Sequence, residues 1–169
     1  MSENIRIRAY EAKDAGKVDF ILNDFARKSF AVYNDENCKT SFAETRSSEA
    51  KVFLVLQNND EVIGFGMVTP YRPFRTCAHT GVLTYFILPE FTGKGLGSRI
   101  INELIEQSLS KGINNFLAHI SSKNDQSLAF HSKHGFEEVG RFKKIGKKFD
   151  EYFDIVWVQK EYPETVVTL

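Results

Sequence analysis

Cysteine is scarce: Cys38 and Cys77 are the two in 169 residues, and neither lies in a Cys-x-x-Cys pair or a Cys/His metal spacing. Both read as free thiols of a reducing cytoplasm, which argues against a disulfide-stapled or zinc-held fold. Excess charge is missing as well. The 22 basic and 22 acidic residues cancel, which argues against a binder of nucleic acid or of an anionic membrane. No apolar run reaches the roughly 18 residues of a membrane span, and the opening "MSENIRIRAYEAKDAG" has no signal-peptide core. A soluble, cytoplasmic protein is expected. Repeats, low-complexity tracts and linkers are absent too, so residues 1–169 are expected to form a single domain. His79, His119 and His134 show no metal-ligand spacing, and no metal is expected. What is present is material for a core: 42% hydrophobic residues, with 15 Phe.

"IRIRAY" alternates like a half-buried strand, and Val18, Ile21, Leu22 and Phe25 recur at helical spacing after Asp14. Weak helical character runs from Phe42 to Ala50. "KVFLVLQ" and "EVIGFGMVTP" read as a hairpin turning through Asn58-Asn59-Asp60. "GVLTYFIL", ended by Pro89, suits a central strand buried on both faces. Leu96, Ile100, Ile101, Leu104, Ile105 and Leu109 form one helical stripe that Gly112 stops. "INNFLAHI" is a strand, "NDQSLAFHSKHGF" a short helix from Asn124 to Gly135, and "FEEVGRF" and "YFDIVWVQKEY" close the chain as strands. The order predicts an α/β fold with a mixed, mostly antiparallel sheet of about seven strands and about four helices.

Between the central strand and the long helix lies "GKGLGS", with glycines at 93, 95 and 97. Such a turn can aim successive N–H groups into one concavity, to which the helix start adds its positive dipole end. The alternating glycines match neither a Walker loop nor the dinucleotide fingerprint Gly-x-Gly-x-x-Gly. Taken alone they fit a flexible turn as well as a phosphate cradle.

Their setting, after "YFILPE" and before the Asn-started helix ending "HGF", resembles the GNAT superfamily of N-acetyltransferases. Within it the chain is most similar to the phosphinothricin and methionine sulfone/sulfoximine N-acetyltransferases. The likeness is carried by "YRPFRTCAHT", "GKGLGS", "NDQSLAFHSKHGFEEVGRF" and "KKFDEYFDIVWVQ". It implies acetyl-CoA as co-substrate, lying in a splay between "TYFIL" and "NFLAHI". Gly93, Lys94, Gly95, Leu96, Gly97 and Ser98 would hold the pyrophosphate, although Thr92 replaces the usual leading basic or amide residue. Backbone groups of Tyr85, Phe86 and Ile87 would hold the pantetheine arm, with Asn124 and Lys133 farther along. Asn124 equally suits a helix cap, and Lys133 a solvated surface. Arg72, Pro73 and Phe74 match the family's acceptor loop, where a guanidinium suits an acidic group, and Val82, Leu83 and Thr84 fall at its substrate-lining positions. Arg75 stays open. A homodimer is implied as well.

Acetyl transfer needs a neutral amine, an N–H donor for the oxyanion and a proton for the thiolate. The resemblance makes His131 the general acid or proton shuttle, and the Phe86 to Leu88 region the N–H donor. At Val82 the subfamily normally carries a glutamate, and valine cannot accept a proton. Water, another group such as Asp154, Tyr33 or His79, or a different natural substrate could account for the change; Asp154 equally suits a structural ion pair. The expected activity is acetylation of a small amino-acid-like amine. Acylation of a peptide or protein amine and a non-catalytic acyl-CoA-binding module are the alternatives.

Overall fold

The structure, a computed structural model, describes residues 4–164. Strand β1 (Ile5–Ala9) leads through a short 3-10 turn into helix α1 (Ala15–Lys28), followed by helix α2 (Phe42–Ser47). Strands β2 (Val52–Asn58), β3 (Glu61–Pro70) and β4 (Thr80–Ile87) come next. Helix α3 (Leu96–Leu109), strand β5 (Asn115–Ser121), helix α4 (Asp125–Lys133) and strands β6 (Glu137–Lys148) and β7 (Glu151–Glu161) complete the chain. The strands form one sheet in the order β1-β2-β3-β4-β5-β7-β6. Every neighbouring pair is antiparallel except β4–β5.

Local chemistry accounts for the elements. The Ser41 side chain accepts the Glu44 N–H at 3.1 Å to start α2. The expected continuation to Ala50 fails because the Ser47 and Ser48 hydroxyls bond back to the carbonyls of Glu44 and Thr45, while Glu49 and Ala50 both fold onto the Arg46 carbonyl. The β2–β3 turn is as expected, with Asn59 at φ 51°, a left-handed value asparagine tolerates. Gly112 and Gly135 take φ of 79° and 80° just past α3 and α4.

The core lies on both sides of the sheet. On one face Phe25 of α1 meets Phe86 and Phe42 of α2 meets Phe65. On the other, Ile100 and Leu104 of α3 approach Gly66 so closely that an added Cβ would sit 3.0 and 2.7 Å from them.

Two expectations change. Strand β4 is central but not buried throughout: Val82, Thr84, Tyr85 and Phe86 are half-buried, because β5 accompanies β4 only through Thr80, Gly81 and Val82. The strand expected over "FEEVGRF" runs on to Lys148, with a register slip between Phe142 and Gly146. Its extension is mostly exposed and, but for Ile145, without apolar side chains up to the buried Lys148, so backbone pairing with β7 holds it rather than any apolar alternation.

Candidate active site

The site begins where β4 and β5 part. Their last pair is Val82 with Leu117; beyond it the two strands open as a fork. Main-chain groups along a strand alternate between its two neighbours. The Leu88 N–H donates to the Ile63 carbonyl at 2.9 Å, and the Thr80 carbonyl accepts from the Tyr71 N–H at 3.2 Å. Even-numbered residues of β4 therefore turn their backbone toward β3, and Leu83, Tyr85 and Ile87 turn theirs toward the fork. Phe86 is thus a correction to the expected backbone set: it pairs with Phe65 across β3. Of the expected N–H donors from Phe86 to Leu88, Ile87 is the one aimed into the fork.

Side chains alternate as well. Val82, Thr84 and Phe86 share the face of α1 and α2. Tyr85 lies on the other face, its ring 5.8 Å from Phe130 and 5.6 Å from His131 of α4. Leu83 shares that second face and is only 4% exposed, so it packs in the core, away from the face of Val82 and Thr84.

The glycine turn sits at the carboxyl end of β4. Gly93 and Gly95 have φ of 76° and 75°, and no atom lies within 4 Å of a Cβ added to either. Conformation, not space, requires glycine there. Gly97 answers a different need: its Cβ would stand 3.1 Å from the Phe130 ring, so it allows α3 to approach α4. The first N–H groups of α3, from Leu96, Gly97 and Ser98, have no acceptor inside the helix. Such N–H groups, with the helix dipole, suit an anion beside the fork. Lys94 lies over the Phe91 ring, 5.5 Å from its centroid.

Helix α4 is locked to the start of α3. The Nδ1–H of His134 donates to the Phe130 carbonyl at 2.8 Å, leaving Nε2 to accept from the Ser98 hydroxyl at 2.9 Å. Asn124 does cap α4, accepting the Ser127 N–H at 3.2 Å, a contact worth about 1 kcal/mol. Lys133 is exposed in the last turn.

His131 is only 2% exposed. Its Nδ1–H donates to the Ser127 carbonyl at 2.8 Å, so Nε2 accepts from the Tyr85 hydroxyl at 3.3 Å. Burial pulls the imidazole below its ordinary pKa, against the Ser127 hydrogen bond, and burial pushes the Tyr85 phenol up. The pair is a neutral imidazole holding a phenol.

Between β3 and β4, Arg72, Pro73, Phe74 and Arg75 line a cavity of about 370 Å³ with Lys51 and Lys111, and among the described residues no carboxylate lines it. Val82, Leu83 and Thr84 are not part of that cavity. A row of rings links the two places: the Arg72 guanidinium lies 5.3 Å from the Tyr71 centroid, Tyr71 meets Trp157 edge-on at 6.3 Å, and Trp157 lies 4.9 Å from His119. Of the suggested bases, Asp154 is bound to Arg141 at 3.2 Å and to the Lys144 N–H at 2.8 Å, so its role is structural. His79 is exposed on the loop. Tyr33 bonds to His119 Nδ1 at 2.8 Å, a contact no local pattern signals because 86 positions separate the two. Among the described residues no group of His, Cys, Asp and Glu could hold a metal, and no helix is long and apolar enough to cross a membrane.

The family described as "Acetyltransferase (GNAT) domain" matches residues 7–157. An L-methionine sulfoximine/L-methionine sulfone acetyltransferase of Pseudomonas aeruginosa is 28% identical over 157 residues, covering 87% of this chain and 91% of its own. An L-amino acid N-acyltransferase of Escherichia coli is 26% identical over 162 residues, covering 94% of each. A Salmonella typhimurium protein whose solved structure holds its cofactor acetyl-CoA superposes with a TM-score of 0.84 at 25% identity, over 96% of both chains. The fork and the left-handed glycine turn suit an extended donor ending in phosphates, and fold and sequence point the same way: this chain belongs to the GNAT family and is an N-acetyltransferase that draws on acetyl-CoA.

Proposed function

We propose that the acceptor is the α-amine of a small amino-acid-like molecule of the methionine sulfone, methionine sulfoximine or phosphinothricin class. The fork carries the reading. It offers main-chain groups of Leu83, Tyr85 and Ile87 to the amides of a pantetheine arm, with the Gly93–Ser98 turn at its end for the pyrophosphate. Asn124 and Lys133 stand at the two ends of α4, the helix locked to that turn through His134 and Ser98. Arg72, in its carboxylate-free cavity, suits the acceptor's acidic group, with Pro73 and Phe74 shaping the loop around it. Val82 and Thr84 line the fork on the acceptor face. Relatives named for acetylation of methionine sulfoximine and sulfone and for acylation of L-amino acids support a small molecule over a peptide.

In this scheme a neutral amine nitrogen attacks the thioester carbonyl, and the C–N bond forms as the C–S bond breaks. The Ile87 N–H faces the developing oxyanion. The Tyr85 hydroxyl, oriented by the accepting Nε2 of His131, gives its proton to the departing thiolate, and a proton leaving the amine nitrogen restores the phenol. Thiol release from acetyl-CoA across an amine panel containing the three named compounds tests the reading. Release with these and not with peptide amines is expected. Tight donor binding with no release from any amine would instead make the chain a binding module.

We further propose a cytoplasmic homodimer of single-domain chains, joined at the β6–β7 hairpin. Val139, Phe142, Ile145, Phe149 and Tyr152 are each at least 50% exposed there, an apolar row that a second copy would cover. Phe142→Glu should convert a dimer to monomer by light scattering; a parent that is already monomeric would refute this.

A further inference from the structure

We infer that His119 is the base that takes the acceptor amine's proton, with Tyr33 holding its imidazole; this rests on the acetyl-transfer reading above. The argument is positional. Val82 and Leu117 form the last β4–β5 pair, so Thr84 and His119, each two residues farther on, lie on the same face and on opposite walls of the open fork. That is the face of α1 and α2, opposite the Tyr85–His131 pair.

The ring is fixed from several sides. Tyr33 reaches in from the α1–α2 connection and bonds Nδ1 at 2.8 Å, Trp157 packs at 4.9 Å, and Phe153 stacks on Tyr33 at 5.6 Å. The Tyr33 oxygen can accept from Nδ1–H, and in that tautomer the Nε2 lone pair is directed away from the contact and open to a proton. One side of the residue is open to solvent, while burial of the rest lowers its pKa, which keeps the imidazole neutral near pH 7. Tyr33 is the titratable group against it, and burial raises its pKa, so it stays a neutral phenol. Trp157 and Phe153 carry no charge. The other histidines do not fit: His131 is buried on the opposite face, and His134 has both nitrogens engaged.

The protons balance. Of the three on an incoming ammonium, Nε2 of His119 takes one and gives it to solvent. One follows the Tyr85 path to sulfur as the C–S bond breaks, and one stays on the amide nitrogen.

The test compares kcat/KM against pH for the parent, His119→Gln and His119→Glu, using whichever panel amine the parent acetylates best. The parent should lose activity on acidification through an imidazole pKa below the ordinary value of about 6.5. His119→Gln should abolish that limb and lower kcat/KM by about 10²–10⁴-fold at pH 7, with recovery near the amine's own pKa. His119→Glu should restore part of the rate with its limb moved toward carboxylate values. Unchanged acetyl-CoA affinity and melting temperature would show both variants folded. A folded His119→Gln with parental kcat/KM and an intact acidic limb overturns the assignment. A parent that releases no thiol with any amine overturns the transfer reading instead, and this inference with it.

Discussion

Lys148 offers a demanding test of how the proposed acceptor side is built. Its side chain is 2% exposed, and its ammonium donates to the carbonyls of Ser29, Val32 and Asn34 at 2.7, 2.7 and 2.8 Å, with the Ala26 carbonyl also in reach. One charge at the end of β6 therefore ties down the end of α1 and the segment carrying Tyr33. Lys148→Met keeps much of the side-chain volume but removes the donors. Three hydrogen bonds to a charged group, at ~1.5–3 kcal/mol each, give a gross loss of ~5–9 kcal/mol. Methionine avoids the several kcal/mol that desolvating an ammonium costs, which leaves a net loss of ~3–5 kcal/mol, similar to orphaning one partner of a buried pair. At ~2–4 °C per kcal/mol for a chain of this size, the melting temperature should fall by ~6–20 °C. Thermal melts by circular dichroism measure this. Kinetics at a temperature where the variant is folded should show a raised acceptor KM with acetyl-CoA affinity unchanged, because Tyr33 belongs to the released segment and the glycine turn does not. A variant melting within ~2 °C of the parent would refute the reasoning.

Three further outcomes are expected. Gly95→Ala places a side chain on a backbone with φ of 75°, at ~1–2 kcal/mol. With nothing for the Cβ to strike, acetyl-CoA affinity by calorimetry should weaken by about tenfold; a parental affinity would separate the turn's shape from binding. Asp14 is held below the ordinary carboxylate range chiefly by its hydrogen bond from Arg8, against burial. Its contribution is therefore present above that range and lost as pH falls through the depressed pKa, so Asp14→Asn should be less stable than the parent at pH 7 and the gap should close in acid melts. Val82→Glu adds a carboxylate to the acceptor face, and turnover of methionine sulfone should rise. No gain in a folded variant would direct attention to the Arg72 loop.

Elements whose cause is local could be read from the chain. The α3 stripe, the Asn59 turn, the Asn124 cap and the glycine stops each depend on residues a few positions apart, and they stand where the pattern put them. What a strand's backbone faces depends on its neighbours, so Phe86 could be moved out of the fork only once β3 had a register. The glycines at 93, 95 and 97 look alike in sequence, yet two serve the backbone and the third serves Phe130. The Lys148 cage and the Tyr33–His119 contact join residues 114 to 122 and 86 positions apart, beyond any periodicity. The β6 extension is not legible in the sequence, because edge pairing leaves no apolar alternation.

The short β4–β5 contact has a mechanical consequence. To one side of it lies the antiparallel block β1-β2-β3-β4 from the first half of the chain, and to the other β5-β7-β6 from the second half. Within the sheet, the seam between the blocks has three rungs: Thr80 with Asn115, Gly81 with Phe116 and Val82 with Leu117. Such a sheet resembles two plates on a narrow hinge. A donor whose amides lie in the opening adds rungs to that seam, so its arrival should stiffen the whole sheet, and its departure as free thiol should let the plates relax once in every turnover.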